Sequence, residues 1–171
     1  MNNGKNRIVL TGFMGVGKST VAKCLSHILR TEKVDLDDYV EEKEGLTIAE
    51  LIEQKGETYF RVVETESLRE ILAKDDLQIV SLGGGTWISE NNRELIKNHK
   101  CTSIWLESDF EHCWRNISFS KTVRPLAKDK LTVKKLFDER QKVYCLADWH
   151  LVVKPEFTSF DLARFIAEEI L

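Results

Sequence analysis

Five short apolar runs recur along the chain, and each ends at glycine or at polar residues. Runs of this length, bounded in this way, are typical of strands buried in a sheet. The runs are RIVLT (7–11), KVDLD (33–37), LQIVSL (77–82), CTSIWL (101–106) and WHLVV (149–153). The sequence therefore predicts five strands.

Between these runs, apolar residues recur every three or four positions, which is the spacing of an amphipathic helix. Thr47 and Glu50 have capping-box spacing, Gly56 is of the type that ends a helix, and Ser89 is of the type that begins one. Alternating strands and helices predict an α/β fold in which helices cover both faces of a parallel sheet. The predicted helices are 19–30, 47–56, 57–74, 89–98, 109–116, 132–147 and 159–171.

Composition narrows the class of protein without giving a function. The 171 residues suit one domain, 1–171. The net charge of -3 gives no reason to expect a nucleic-acid partner. No apolar run approaches the ~20 residues of a membrane helix, and the N-terminus MNNGKNRIVL lacks the apolar core of a signal peptide. We therefore expect a cytoplasmic protein without a nucleic-acid or membrane partner.

The segment GFMGVGKST (12–20) matches the pattern G-x-x-x-x-G-K-[ST] of a P-loop. Glycines let backbone N–H groups approach phosphate oxygens, and the helix that follows presents its positive end to the anion. Lys18 adds a point charge for the β- and γ-phosphates, and the Ser19 hydroxyl suits Mg²⁺. The alternative is a glycine-rich loop without a ligand. The predicted ATP-binding residues in this loop are Gly15, Val16, Gly17, Lys18, Ser19 and Thr20.

A P-loop does not distinguish a kinase from a switch or a motor, so the acceptor of the phosphate has to be sought elsewhere. Asp35 and Asp37 stand where the second strand ends, and ligands of α/β sheets bind beyond such ends. If strand geometry persists, the two carboxylates point to the same side. One would then hold a water on Mg²⁺ and the other would accept a proton. The alternative is a helix start capped by Asp38.

Three further features lie later in the chain, each with a structural alternative. Arg61 and Glu64 share a helix face, where a weak surface ion pair is the alternative. The triple glycine (83–85) ends the third strand and indicates a close backbone approach to a ligand, the alternative being a tight turn. Arg140 lies on a late helix, where a solvated charge is the alternative.

The polar, basic segment 118–132 lacks helical periodicity and is predicted to be a mobile loop. It contains Arg124 beside Pro125, which stiffens the backbone there.

Together these features resemble the shikimate kinase family. The matching motifs are GFMGVGKST, VDLDD, GETYFRVVE, VSLGGGT, TVRPL and ERQKVY, in the order and spacing of the family. The resemblance implies the P-loop fold of nucleoside monophosphate kinases, with a substrate-binding region at about 35–64 and a mobile lid at about 118–131. It also implies transfer of the γ-phosphoryl group of ATP to the 3-hydroxyl of shikimate, in the pathway to chorismate and the aromatic amino acids. Mg²⁺ is implied as the cofactor, and a monomer as the usual state.

The resemblance also implies roles for individual residues. Asp37 matches the residue that bonds substrate hydroxyls and serves as general base, and Asp35 the residue that holds Mg²⁺ through water, together with Ser19. Arg61 and Arg140 match the two arginines that grip the shikimate carboxylate, a geometry that forked guanidinium groups suit. The residues implied for the ring contact are Gly83, Gly84 and Gly85, and those implied to act on the transferring phosphoryl group are Lys18 and the lid residue Arg124.

The chain departs from the family pattern at several positions. Ile52 stands where the family often has an aromatic residue, and Lys142 where it commonly has proline. Arg115 is a candidate for stacking on adenine, and Lys154 and Pro155 are candidates for the edge of the adenine site.

The sequence leaves three alternative functions. One is a kinase of similar architecture for another small acceptor, such as gluconate. Another is a nucleotide-dependent switch without transfer activity. The third is an inactive relative, against which the presence of every reactive position argues.

Overall fold

A computed structural model of the chain describes residues 7–74, 79–121 and 129–171. Across these residues, one sheet of parallel strands has the order β2-β3-β1-β4-β5, which confirms the predicted α/β fold and its five-stranded sheet. The strands are β1 (Ile8–Thr11), β2 (Lys33–Asp35), β3 (Ile79–Ser81), β4 (Thr102–Glu107) and β5 (Trp149–Val152).

Helices flank the sheet, and their caps follow local sequence. Thr47 and Glu50 form the predicted capping box, and the Ser89 hydroxyl accepts a hydrogen bond from the backbone N–H of Asn92. A 3₁₀ turn spans Thr86–Ile88, and the last helix continues as a π-helical turn over Ile166–Ile170. The helices are α1 (Lys18–Leu29), α2 (Leu36–Glu44), α3 (Ile48–Lys55), α4 (Glu57–Leu72), α5 (Glu90–Asn98), α6 (Phe110–Phe119), α7 (Lys130–Tyr144) and α8 (Ser159–Phe165).

The second strand is shorter than predicted, because a helix begins inside the VDLDD motif. β2 ends at Asp35, and the Asp35 carboxylate caps α2 by accepting a hydrogen bond from the backbone N–H of Asp37. The strand geometry that would place both aspartates on one side is therefore wrong, as is the assignment of the cap to Asp38. The alternative, a helix start, is therefore confirmed apart from its cap. The extent of α2 was not predicted, because its sequence LDDYVEEKE buries only Leu36 and Val40.

The predicted loop 118–132 is shorter than expected at both ends. α6 extends to Phe119, and α7 begins at Lys130 because the Asp129 carboxylate caps it by accepting a hydrogen bond from the backbone N–H of Thr132. The remainder is 120–129, of which 122–128 lie outside the described residues.

Three carboxyl ends meet at one edge of the sheet. Ser81 of β3 aligns with Leu10 of β1 on one side and with Asp35 of β2 on the other. The P-loop, the start of α2 and the triple glycine therefore follow from neighbouring strand ends. β1 is fully buried at the centre of the sheet, and the P-loop follows directly from its carboxyl end.

Candidate active site

A cleft of about 790 Å³ opens at this edge of the sheet. It collects residues that lie far apart in the sequence, from the P-loop, α2, α4, the triple glycine and α7. Lys18 is buried in the P-loop beneath it, and Arg124 lies outside the described residues. The predicted site residues that line the cleft are Ser19, Asp35, Asp37, Arg61, Gly83, Gly84, Gly85 and Arg140.

The P-loop takes a conformation that glycine permits. Gly17 has a φ of 105° and stands at the N-cap of α1, where no side chain makes a capping hydrogen bond to the backbone N–H groups of the first turn. Lys18 folds back across the loop, where its ammonium group donates to the carbonyls of Gly12 at 2.8 Å and Phe13 at 3.0 Å. A positive helix end and a buried cation thus face the same space, an arrangement that binds phosphate.

Helix α6 packs directly against the P-loop at Gly15. A Cβ atom at Gly15 would lie 2.6 Å from the carbonyl oxygen of Cys113, which explains why glycine stands there. The Asn116 amide donates a hydrogen bond of 2.7 Å to the carbonyl of Gly15. The helix that leads toward the predicted lid is therefore bonded to the loop that is predicted to hold ATP.

Ser19 and Asp35 meet at the mouth of the P-loop. The Ser19 hydroxyl donates to Asp35 Oδ2 at 2.5 Å, while Asp35 Oδ1 caps α2. A hydroxyl and a carboxylate are the hard oxygen donors that Mg²⁺ accepts, and Mg²⁺ commonly takes few protein ligands and completes its shell with water and substrate phosphates. The donor set therefore fits Mg²⁺ beside a bound nucleotide.

Asp37 lies in the first turn of α2, lines the cleft and is half-buried. Burial of its carboxylate, followed by the nearby charges of Asp35 and Glu64, raises the pKa of Asp37 to about 7, against the lowering effect of Lys18. A carboxylate with such a pKa can accept a proton at neutral pH more readily than an ordinary aspartate.

The two arginines stand against the triple glycine. A Cβ atom at Gly85 would lie 2.5 Å from Arg61 Nη2, and one at Gly84 would lie 3.4 Å from Arg140 Nη1. Arg140 is only 7% exposed, so the solvated charge considered as its alternative is wrong. The glycines therefore leave the space into which both guanidinium groups extend.

The burial of Glu64 differs most from what the sequence predicted. The Arg61–Glu64 pair has an N···O distance of 2.9 Å, but Glu64 is 1% exposed, so the pair is not the surface ion pair considered above. Its other oxygen, Oε1, accepts a hydrogen bond of 2.7 Å from the Thr86 hydroxyl.

Further contacts in the cleft were not predicted. The Tyr144 hydroxyl donates to the carbonyl of Gly84 at 2.5 Å, and Lys121 lines the cleft two residues beyond the end of α6. The sequence signal for a role of Thr86 in the cleft was its position directly after the triple glycine. Tyr144 lies in the matching motif ERQKVY, but no local signal pointed to its bond with Gly84, which spans 60 residues of sequence.

Among the departures from the family pattern, Ile52 lines the cleft and supplies apolar surface there. Arg115, Lys154 and Pro155 are exposed and lie outside the lining of this cleft. Their adenine contacts stay predictions.

A family model and similar proteins identify the family of this chain. The family model described as shikimate kinase matches residues 14–171. A shikimate kinase from Sulfurihydrogenibium sp. (strain YO3AOP1) is 41% identical over 142 residues, which cover 82% of this chain and 84% of that protein. The solved structure of a shikimate kinase from Acinetobacter baumannii in complex with shikimate superposes with a TM-score of 0.88 at 30% identity, covering 96% of this chain and 92% of that one.

A more distant structural match concerns the alternative acceptor. A gluconokinase from Sinorhizobium meliloti 1021 superposes with a TM-score of 0.58 at 11% identity, covering 95% of this chain and 90% of that one. At this identity the match shows a shared fold alone.

Proposed function

The chain belongs to the shikimate kinase family and is an ATP-dependent phosphotransferase, and we propose that its cleft transfers the γ-phosphoryl group of ATP to the 3-hydroxyl of shikimate. The products are shikimate 3-phosphate and ADP. One observation carries the assignment to this cleft: Asp37 shares it with Arg61 and Arg140, next to the P-loop. A proton acceptor, two carboxylate-binding groups and a phosphate-binding loop are thereby within reach of one small molecule.

On this proposal, the acceptor is held at both ends. Arg61 and Arg140 bind its carboxylate, while the backbone of the triple glycine contacts its ring. Asp37 accepts the proton of the attacking hydroxyl as the new O–P bond forms. Phosphoryl transfer depends chiefly on alignment and charge stabilisation, so these fixed contacts supply most of what the reaction requires from the acceptor side.

On the donor side, the P-loop amides and Lys18 bind the phosphates of ATP. Ser19 and Asp35 would hold Mg²⁺, directly or through water. When bound, the ion neutralises charge on the β- and γ-phosphates. Arg124 is proposed from the family resemblance to add positive charge at the transferring group when the segment around it closes.

We also propose a single domain that works as a cytoplasmic monomer, as the sequence predicts. Within the described ranges, no helix is both long and apolar enough to cross a membrane. Size-exclusion chromatography with light scattering tests the monomer directly, since one chain has a mass of 19.8 kDa. A mass twice as large would replace the monomer by a dimer without affecting the assignment of the reaction.

The experiment that tests the reaction is ADP release from Mg²⁺-ATP with shikimate, quinate, gluconate or no acceptor. We expect stimulation by shikimate and loss of that stimulation when EDTA removes the divalent ion. Stimulation by gluconate instead would overturn the acceptor site built on Asp37, Arg61 and Arg140. Nucleotide binding with no stimulation by any acceptor would favour the nucleotide-dependent switch.

A further inference from the structure

Thr86 has no role in the mechanism above, yet it is fully buried behind the acceptor site. It begins the 3₁₀ turn directly after the triple glycine, and its hydroxyl donates to Glu64 Oε1 at 2.7 Å. Arg61 Nη1 bonds the other oxygen, Glu64 Oε2, at 2.9 Å. Each oxygen of this buried carboxylate therefore has a partner of its own, and one of the two partners is Thr86.

The space around Gly83 shows why the hydroxyl matters. A Cβ atom at Gly83 would lie 2.7 Å from Asp37 Oδ1, 3.1 Å from Thr86 Oγ1 and 3.3 Å from Glu64 Oε1. Two carboxylates thus approach the same small volume, where their charges repel each other. The Thr86 hydroxyl approaches the same volume and donates its hydrogen bond to Glu64 Oε1.

Bonds from behind the turn fix the position of Thr86. The buried Asn92 amide donates to the carbonyl of Thr86 at 3.0 Å, and the Thr65 hydroxyl donates to Asn92 Oδ1 at 2.8 Å. These contacts tie the turn to α5 and to α4, the helix that carries Glu64 and Arg61. The turn that carries the hydroxyl is therefore bonded to two helices of the fold.

We propose that Thr86 is a positioning residue for acceptor binding: its hydroxyl keeps Glu64 turned toward Arg61, so that the Arg61 guanidinium is aligned for the substrate carboxylate. The inference rests on the proposed function for its kinetic consequence. Its structural part, the alignment of Arg61, is independent of which acceptor the enzyme uses.

The kinetic test compares Thr86→Val, which replaces the hydroxyl by a methyl group of similar size, with Thr86→Ser, which keeps it. Without its donor, Glu64 Oε1 is left unpaired in a buried site, and we expect Thr86→Val to raise the KM for shikimate about tenfold with little change in the KM for ATP. Thr86→Ser should restore values near those of the natural chain.

Ser67→Ala is the matched control. Ser67 lies on α4, the helix that carries Arg61 and Glu64, and is fully buried. Its hydroxyl has no hydrogen-bond partner among the described residues. Its replacement removes a buried hydroxyl without removing a bond, so both KM values should stay unchanged. If Thr86→Val fails to fold, the pair Thr86→Ala and Thr86→Ser differs by one hydroxyl and makes the same comparison.

A measurement without any acceptor separates this inference from the proposed function. The side-chain ¹H–¹⁵N signal of Arg61, assigned with Arg61→Lys, should shift or broaden in Thr86→Val and remain in place in Thr86→Ser and Ser67→Ala. An unchanged Arg61 signal in Thr86→Val overturns the positioning role, whichever acceptor the enzyme uses. Equal rises of both KM values in Thr86→Val also overturn it, because they indicate a general structural effect.

Discussion

At Asp37, three features of the cleft act on one carboxyl group. Burial withdraws it from water, and the carboxylates of Asp35 and Glu64 disfavour its negative charge, so its pKa rises to about 7. We expect Asp37→Asn to lower kcat at least ~100-fold, the lower end of what a general base contributes, while the KM for ATP changes little. Steady-state ADP release at saturating shikimate measures both quantities.

Asp38→Asn is the matched control for this prediction. It makes the same change of charge on the adjacent, more exposed residue of α2, and we expect a kcat close to that of the natural chain. If Asp37→Asn kept its full kcat, Asp37 would not be the proton acceptor.

The same surroundings predict an effect of Asp37 on stability. Its pKa of about 7 in the folded chain lies above the ordinary value of 3.8, so the folded chain binds a proton more tightly than the unfolded chain does. The stability associated with that proton is complete below the ordinary pKa and is lost as the pH rises through about 7.

We therefore expect Asp37→Asn, which cannot ionise, to unfold at a higher temperature than the natural chain at pH 8. The gain is at most on the order of 4 kcal/mol and shrinks as the pH falls. Thermal melts at pH 8 and pH 5 measure it. A lower melting temperature at pH 8 would show that the ionised carboxylate stabilises the fold.

Arg140 is buried against the triple glycine, and we propose that its guanidinium group binds the substrate carboxylate. We expect Arg140→Ala to raise the KM for shikimate roughly 10- to 100-fold, the equivalent of one or two charge-assisted hydrogen bonds. Arg164→Ala, on the exposed side of α8, changes the net charge equally and should leave the KM unchanged. A normal KM for shikimate combined with weaker ATP binding would place Arg140 at the nucleotide.

At the scale of elements, local sequence predicted best where a side chain caps or fills a regular structure. The capping box at Thr47 and the cap at Ser89 required only neighbouring residues, and both were confirmed. The start of α2 was considered only as an alternative, because the helix is mostly polar and because Asp35, which caps it, also suited a metal-binding role. A carboxylate at the end of a strand can cap a helix or bind a metal ion. Local sequence alone therefore does not decide whether the strand continues or a helix begins.

The contact between α6 and the P-loop predicts the effect of one added methyl group. Gly15 has a φ of 81°, and its Cβ would lie 2.6 Å from a backbone oxygen of α6. We expect Gly15→Ala to move α6 away from the loop, to raise the KM for ATP about tenfold and to lower the melting temperature.

Gly45→Ala isolates the cost of the backbone conformation in this experiment. Gly45 has a φ of 68°, and no atom lies within 4 Å of the position of its Cβ. The substitution Gly45→Ala should therefore lower the free energy of unfolding by about 1 kcal/mol, with no change in the KM for ATP. If Gly15→Ala behaved like Gly45→Ala in both measurements, the contact with α6 would have no bearing on nucleotide binding.

At the scale of the whole molecule, the alternation of strands and helices predicted the α/β fold, whereas the arrangement of the site needed three dimensions. Strand order places β1 between β3 and β4, and no local pattern encodes that order. The bond from Tyr144 to Gly84 and the burial of Glu64 follow from tertiary packing in the same way. Motifs therefore indicated which residues meet, while the polar contacts behind them became visible only in the fold.

The sheet topology also predicts how the molecule unfolds. β1, near the N-terminus, pairs with β4 from the second half of the chain, and α8 packs on α1, so both halves share one core.

Two spectroscopic probes test this prediction. All four tryptophans lie in the second half of the chain: Trp87, Trp105, Trp114 and Trp149. Tryptophan fluorescence therefore reports on that half, while far-UV circular dichroism reports on all helices. We expect the two probes to give the same midpoint in urea, as a single cooperative unit requires. Separate midpoints would show that the halves unfold independently and would contradict the single domain proposed for residues 1–171.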